Sequence, residues 1–125
     1  MIEVISTDQA PAAIGPYSQA IKTNNLIFCS GQLGINPETK ELLEGVELQT
    51  LQIFKNIKAV LSIAGCDLSS IVKTTVFLSD MAEFQTVNAI YANLFGDHKP
   101  ARSTIQAARL PLNASIEIEC VAVCE

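Results

Sequence analysis

The chain has 125 residues, 49% hydrophobic and 17% charged, with thirteen acidic against eight basic side chains for a net charge of −5. That length bounds the protein to one domain, spanning residues 1–125, with a core of its own, and the composition excludes a disordered chain. The acidic balance argues against a nucleic-acid backbone as partner, and the longest apolar run, Cys120–Cys124, has five residues where a spanning helix needs about 20.

In chain order, Tyr17–Lys22 and Leu26–Gly31 read as two extended runs around the turn-forming triplet Thr23-Asn24-Asn25, a hairpin. Asn36-Pro37-Glu38-Thr39 is a second turn. From Glu44 to Ala64 the apolar residues recur at i, i+3 and i+4, and Gly65 supplies the stop of a helix. Ile71–Leu78 is β-branched and extended. Asp80-Met81-Ala82-Glu83 has the spacing of a capping box, and it opens a second helix with Phe84, Val87, Ile90-Tyr91 and Leu94-Phe95 on one face, closed by Gly96. Ala101–Ala107 and Ser115–Cys124 are the last strands. The order is ββαβαββ with room for a further strand ahead of it, which predicts an α+β domain with both helices on one face of a mixed sheet.

Alternation along the last strand sends Ile116, Ile118, Cys120, Ala122 and Cys124 one way, and Glu117, Glu119, Val121 and Val123 the other. In Ile71–Leu78 the same count groups Val72, Thr74, Val76 and Leu78 against Ile71, Lys73, Thr75 and Phe77. Both faces carry apolar residues, yet two helices cover only one. The mean hydropathy of +0.31, high for a small monomer, points the same way. An open apolar sheet face is an association surface, so an oligomer is expected.

No Lys or Arg precedes Lys22 and no apolar segment follows the start, so no export signal is expected and the cytoplasm is the expected compartment. The four cysteines, Cys29, Cys66, Cys120 and Cys124, are then expected as reduced thiols, and His98 as a surface histidine beside Lys99-Pro100. Cys120 and Cys124 lie about 13 Å apart on a strand, too far to share a zinc ion, and no metal site is expected.

Nucleotide-binding glycine motifs are absent. Gly31-Gln32-Leu33-Gly34 after a strand reads either as a bend or as a backbone N–H offered to an anion. In Pro100-Ala101-Arg102-Ser103-Thr104, alternation puts Arg102, Thr104 and Gln106 on one face. A guanidinium there serves a ligand carboxylate, a glutamate of the chain, or solvent. Glu117 and Glu119 on a half-apolar face are solvated, paired to arginine, or acid/base groups. Tyr17 reads by itself as a packing residue, and Asn88 as a helix-surface amide.

These residues fall into a pattern. Ala10-Pro11-Ala12-Ala13-Ile14-Gly15-Pro16-Tyr17-Ser18-Gln19, Ser30-Gly31-Gln32, Val72–Leu78, Thr86-Val87-Asn88, Pro100-Ala101-Arg102-Ser103, Ala108-Arg109-Leu110-Pro111 and Ile116–Glu119 together resemble the RidA (YjgF) family of reactive-intermediate deaminases. The resemblance implies a chorismate-mutase-like α+β fold and a homotrimer with clefts between subunits. It implies hydrolysis of 2-imino acids, such as 2-iminobutanoate and 2-iminopropanoate, to 2-oxo acids and ammonia, with no metal or organic cofactor. By resemblance, Arg102 grips the substrate carboxylate, the Gly31 backbone contacts the ligand, and Glu117 stands near the reacting water. Tyr17, Ser30 and Asn88 match other cleft positions. Thr104 stands where many relatives have cysteine, which removes a thiol from the site and leaves its backbone contacts. The rival readings are a trimer that binds small carboxylates without turnover and an RNA-cleaving translation inhibitor.

Overall fold

The computed structural model describes all 125 residues. Its elements run β1 (Ile2–Ile5), β2 (Ala20–Thr23), β3 (Leu26–Leu33), α1 (Val46–Ser62), β4 (Ile71–Leu78), α2 (Phe84–Phe95), β5 (Ala101–Gln106) and β6 (Ile116–Val123). They form one six-stranded sheet in the order β1-β2-β3-β6-β4-β5. Only β4 and β5 are parallel, because α2 carries the chain back between them; every other pairing is antiparallel. The expected hairpin is β2–β3, turned at Asn24, whose φ of 54° suits an asparagine.

One face of the sheet is dry. Ile116, Ile118, Cys120 and Ala122 on β6 join Thr74, Val76 and Leu78 on β4 beneath the helices, each at most 3% exposed. Phe54 from α1 meets Tyr91 and Phe95 from α2 edge-on, at 5.8 and 5.5 Å between ring centroids. The helix expected over Glu44–Ala64 is the shorter α1. Past it Gly65, at φ 77°, lets the Gly65 and Cys66 N–H groups donate back to Ser62 and Leu61 carbonyls.

Two buried amides of α1 pin the strand ends that matter below. Asn56 donates to the Leu33 and Ile35 carbonyls, at 3.2 and 3.0 Å. Gln49 donates to the Leu43 carbonyl at 3.0 Å and accepts from the Ser115 N–H at 2.8 Å. These bonds hold the end of β3 and the start of β6 on the same helix.

The other face is open within the chain. Ile2, Val4, Leu26, Phe28, Val72, Ile105 and Val123 are all exposed there, which agrees with the expected association surface. Ile71 and Val72 depart from simple alternation. A register shift between Ile71 and Lys73 against β6 turns Ile71 fully inward and leaves Val72 outside; a bulge inserts a residue and so swaps the faces on either side of it.

Three local expectations are corrected. Asp80 accepts from the Ala82 N–H at 2.9 Å, but it caps a 3-10 turn at Met81–Glu83 ahead of α2, and Glu83 returns no side-chain bond. His98 is half-buried, not a surface group, with Nε2 2.6 Å from the Ile71 carbonyl oxygen. The four cysteines are not all thiols. Cys66, just past the end of α1, is joined to Cys124, just past the end of β6, with Cα atoms 5.9 Å apart; Cys29 and Cys120 are free and face each other across β3 and β6. The turn at Gly65 brings two residues 58 apart in sequence within disulfide reach.

Thiol titration of the denatured, unreduced protein is therefore expected to find two reactive thiols per chain and four after reduction. Closing a loop of this length stabilises by about 4 kcal/mol, so Cys124→Ser should lower Tm by roughly 15 °C in a thermal melt.

Candidate active site

The sequence-derived site residues collect into two groups. On the helix face, at the edge strand β5, Arg102 lies opposite Thr74 of β4 and reaches under α2. Its Nη1 donates to Asn88 Oδ1 at 2.8 Å, and its guanidinium lies 4.8 Å from the Tyr91 ring centroid and 5.5 Å from that of Phe84. Such contacts contribute about 0.5–2 kcal/mol each while leaving N–H donors free. The chain offers this cation a neutral amide and two aromatic faces, so its remaining donors are available to an anion. Of the readings open at the sequence level, the internal pair with a glutamate is not formed.

The period of α2 explains the cradle. Phe84, Asn88 and Tyr91 fall at i, i+4 and i+7 and share one stripe. Asn88 is therefore a half-buried partner of the cation and not a surface amide. Phe84 and Tyr91 were legible as apolar positions of a helix, and nothing in their spacing set them apart from core. The Tyr91 hydroxyl bonds Thr74 Oγ1 at 2.7 Å, and burial raises its pKa, which keeps it a neutral phenol. Thr104, two residues beyond Arg102 on the same face, has a buried hydroxyl without a hydrogen-bond partner.

The second group is on the open side. The register of β3 against β6 shifts between Cys29 and Gln32, and Ser30 and Gly31 sit in that irregularity. Glu117, opposite Leu33 and Phe77, lays its side chain against Gly31. A Cβ at Gly31 would collide with Glu117 Oε2 and stand 3.0 Å from Cδ and 3.2 Å from Cγ. Gly34 differs in kind, because a Cβ there would meet the Gln49 backbone of α1 at 2.5 Å. The glycine pair thus divides: Gly31 makes room for a carboxylate, and Gly34 makes room for a helix.

Ser30 ties the N-terminal loop to this bulge. Its Oγ donates to the Ser18 carbonyl at 2.6 Å and its N–H to the Gln19 carbonyl at 3.0 Å. The Gln19 side chain, almost fully buried, bonds Thr7 and Pro11 and holds the rest of the loop. Tyr17 stands half exposed on that loop, its hydroxyl accepting weakly from the Ile14 N–H at 3.4 Å. Gln19 stands in the sequence only as part of a motif; a buried amide leaves no periodic signal.

The two groups do not meet within one chain. β5 pairs with β4 and not with β6, so two strand spacings, about 9.5 Å, separate Arg102's strand from Glu117's. The two side chains also project from opposite faces. A single chain therefore presents a cationic half-site at Arg102 and a separate carboxylate-bearing half-site at Glu117.

Residues 7–124 match the family described as Endoribonuclease L-PSP. The chain belongs to that family. Among its L-PSP relatives, the Arabidopsis thaliana protein named Reactive Intermediate Deaminase A, chloroplastic, is 61% identical over 121 residues, 96% of this chain, which spans 65% of that protein's length. The Escherichia coli strain K12 protein named 2-iminobutanoate/2-iminopropanoate deaminase is 47% identical over 126 residues, covering 98% of each. Among solved structures, E. coli TdcF with bound serine superposes with a TM-score of 0.94 at 39% identity, over 98% of this chain and 99% of that one. The RidA resemblance carried by the motifs is borne out by these relatives. No helix is long and apolar enough to cross a membrane.

Gly31→Ala is expected to destabilise by about 1–3 kcal/mol through overpacking. Since the three atoms nearest the added methyl all belong to Glu117, Glu117→Ala in the same chain should recover most of that loss in a thermal melt. Burial, and secondarily the charge of Glu119, raise the Glu117 pKa above the ordinary carboxyl value. The folded state then holds this proton more tightly than the unfolded chain. Its contribution to stability is complete below the unfolded pKa of about 4.3 and is lost as pH rises through the raised folded value. Glu117→Gln should match wild type near pH 4 and melt higher at neutral pH.

Proposed function

We propose that this protein hydrolyses small 2-imino acids, 2-iminopropanoate and 2-iminobutanoate, to 2-oxo acids and ammonia. The sites are clefts between the subunits of a homotrimer of chorismate-mutase-like chains. The observation that carries the reading is the division of the site. Arg102 has free donors and no carboxylate of its own on one face, while Glu117 waits half-buried on the other, so a second copy must bring the halves together. The exposed apolar residues of the open face supply a surface on which copies can pack. The activity named for the E. coli relative supports the same conclusion.

In such a cleft Arg102 pairs the substrate carboxylate, with Asn88 holding the guanidinium, and the Gly31 backbone approaches the ligand from the neighbouring copy. Positioning of this kind supplies several kcal/mol. Glu117 takes a proton from water as the water oxygen bonds the C=N carbon and passes that proton to the imine nitrogen, which gives a neutral carbinolamine. It then takes the carbinolamine hydroxyl proton and delivers it to nitrogen as the C–N bond breaks, releasing ammonia and the 2-oxo acid. A carboxylate whose pKa is raised by burial is better matched to both proton transfers near neutral pH. The free imine already hydrolyses in water, so the acceleration required is modest. Tyr17 and Ser30 shape the cleft wall, and the Thr104 backbone lies beside Arg102.

A second reading, binding of small carboxylates without turnover, draws on the serine held by TdcF; release of ammonia separates the two. RNA cleavage, suggested by the family's description, is opposed by the −5 charge.

The test supplies imine from threonine dehydratase and follows its capture by semicarbazide. Wild type should reduce capture, Arg102→Ala should not, and Glu117→Gln should lower kcat by about a hundredfold. Mixed and reassembled, the two inactive variants should regain about a quarter of wild-type activity, because one site in four draws both intact residues from different copies. No regain, or a sedimentation mass of a single 13.4 kDa chain at micromolar concentration, would overturn the shared cleft.

A further inference from the structure

Beside Arg102 lies a cavity of about 380 Å³, walled by Tyr91 and Phe95 of α2 and lined at its polar side by Asn88, His98, Lys99 and Arg102. The chain has only eight Lys and Arg and one His, yet three of these nine side chains converge on this cavity and no acid lines it. In a protein of net charge −5, that is a local reversal of sign. Low-dielectric walls focus such a potential on an anion.

The half of the substrate gripped by Arg102 needs only the guanidinium. Lys99 is a second cation on the same cavity, and His98 has Nε2 committed to the Ile71 carbonyl oxygen, which leaves Nδ1 as its free ring atom. The alternative role for Lys99 is to cap α2, and its Nζ does approach the Gly96 carbonyl oxygen, at 3.3 Å. That bond is long and exposed. The helix end it faces carries about half a negative charge, against two full cations on the cavity, so the cavity stays net positive.

Resting on the imine-hydrolase reading, which places the substrate carboxylate on Arg102, we propose that this cavity receives the substrate side chain and that Lys99, on the same cavity, binds a second carboxylate. The preferred substrates are then imino acids of the dicarboxylic class, with Arg102 on the carboxylate next to the imine carbon and Lys99 on the distal one. Tyr91 and Phe95 cover the methylenes between them.

The stable 2-oxo acids serve as probes in isothermal titration of the intact protein. Wild type should bind 2-oxoglutarate roughly fivefold more tightly than 2-oxobutanoate at low salt, the scale of one partly exposed ion pair, and the advantage should shrink at high salt. Lys99→Gln should bring the two affinities together, and Lys99→Arg should keep them apart. Equal affinities in wild type, or a preference that survives in Lys99→Gln, would overturn the proposal, as would a lower Tm in Lys99→Gln with the preference intact. Arg102→Ala separates the two layers. If it abolishes both ligands while wild type shows no preference, only the dicarboxylate inference falls. If it leaves both ligands bound, the assignment of Arg102 to the substrate carboxylate falls with it.

Discussion

Side chains on a strand alternate, and a sheet with helices on one side has one dry face and one open face. In this chain the chemistry is divided by that rule. Arg102 lies on the dry side at the edge, where α2 supplies an amide and two rings to hold it. Glu117 lies on the open side, one strand in from the bulge that gives it space. No rotamer of either residue crosses the sheet, so one copy does not bring the two side chains together. The shared cleft proposed above answers that separation.

The hydrophobic content has the same origin. A chain of this size with one covered sheet face could be less apolar; here the uncovered face carries Phe28, Val72, Ile105 and Val123 as well. Burying those residues against copies of the same chain removes apolar area from water at about 25 cal/mol per Å². In the proposed trimer, that energy is available at the surface where the half-sites meet.

Much of this arrangement was legible in residue patterns. β4 has the bounds read from its β-branched run, and the inward set of β6 is the set counted by alternation. Gly65 and Gly96 mark the ends of both helices. What escaped were features with no period. The bulge at Ile71–Lys73 is one extra residue, invisible to a count of two. The aromatic cradle of Arg102 has the same spacing as a core stripe. The Cys66–Cys124 link joins residues far apart in sequence, and the buried Gln49, Asn56 and Gln19 act through partners that only the tertiary fold supplies. The division of Arg102 from Glu117 needed the strand order, which local patterns do not contain.

The position of β6 has a consequence for how the protein is made. It is the last strand in the chain and an inner strand of the sheet, seated between β3 and β4. During synthesis both of those strands therefore have an unpaired edge beside the vacant place until residues 116–123 emerge. Edges of that kind recruit other chains, and pairings so distant in sequence form slowly. The sheet closes only when residues 116–123 insert between β3 and β4, and until then both edges stay open to other chains.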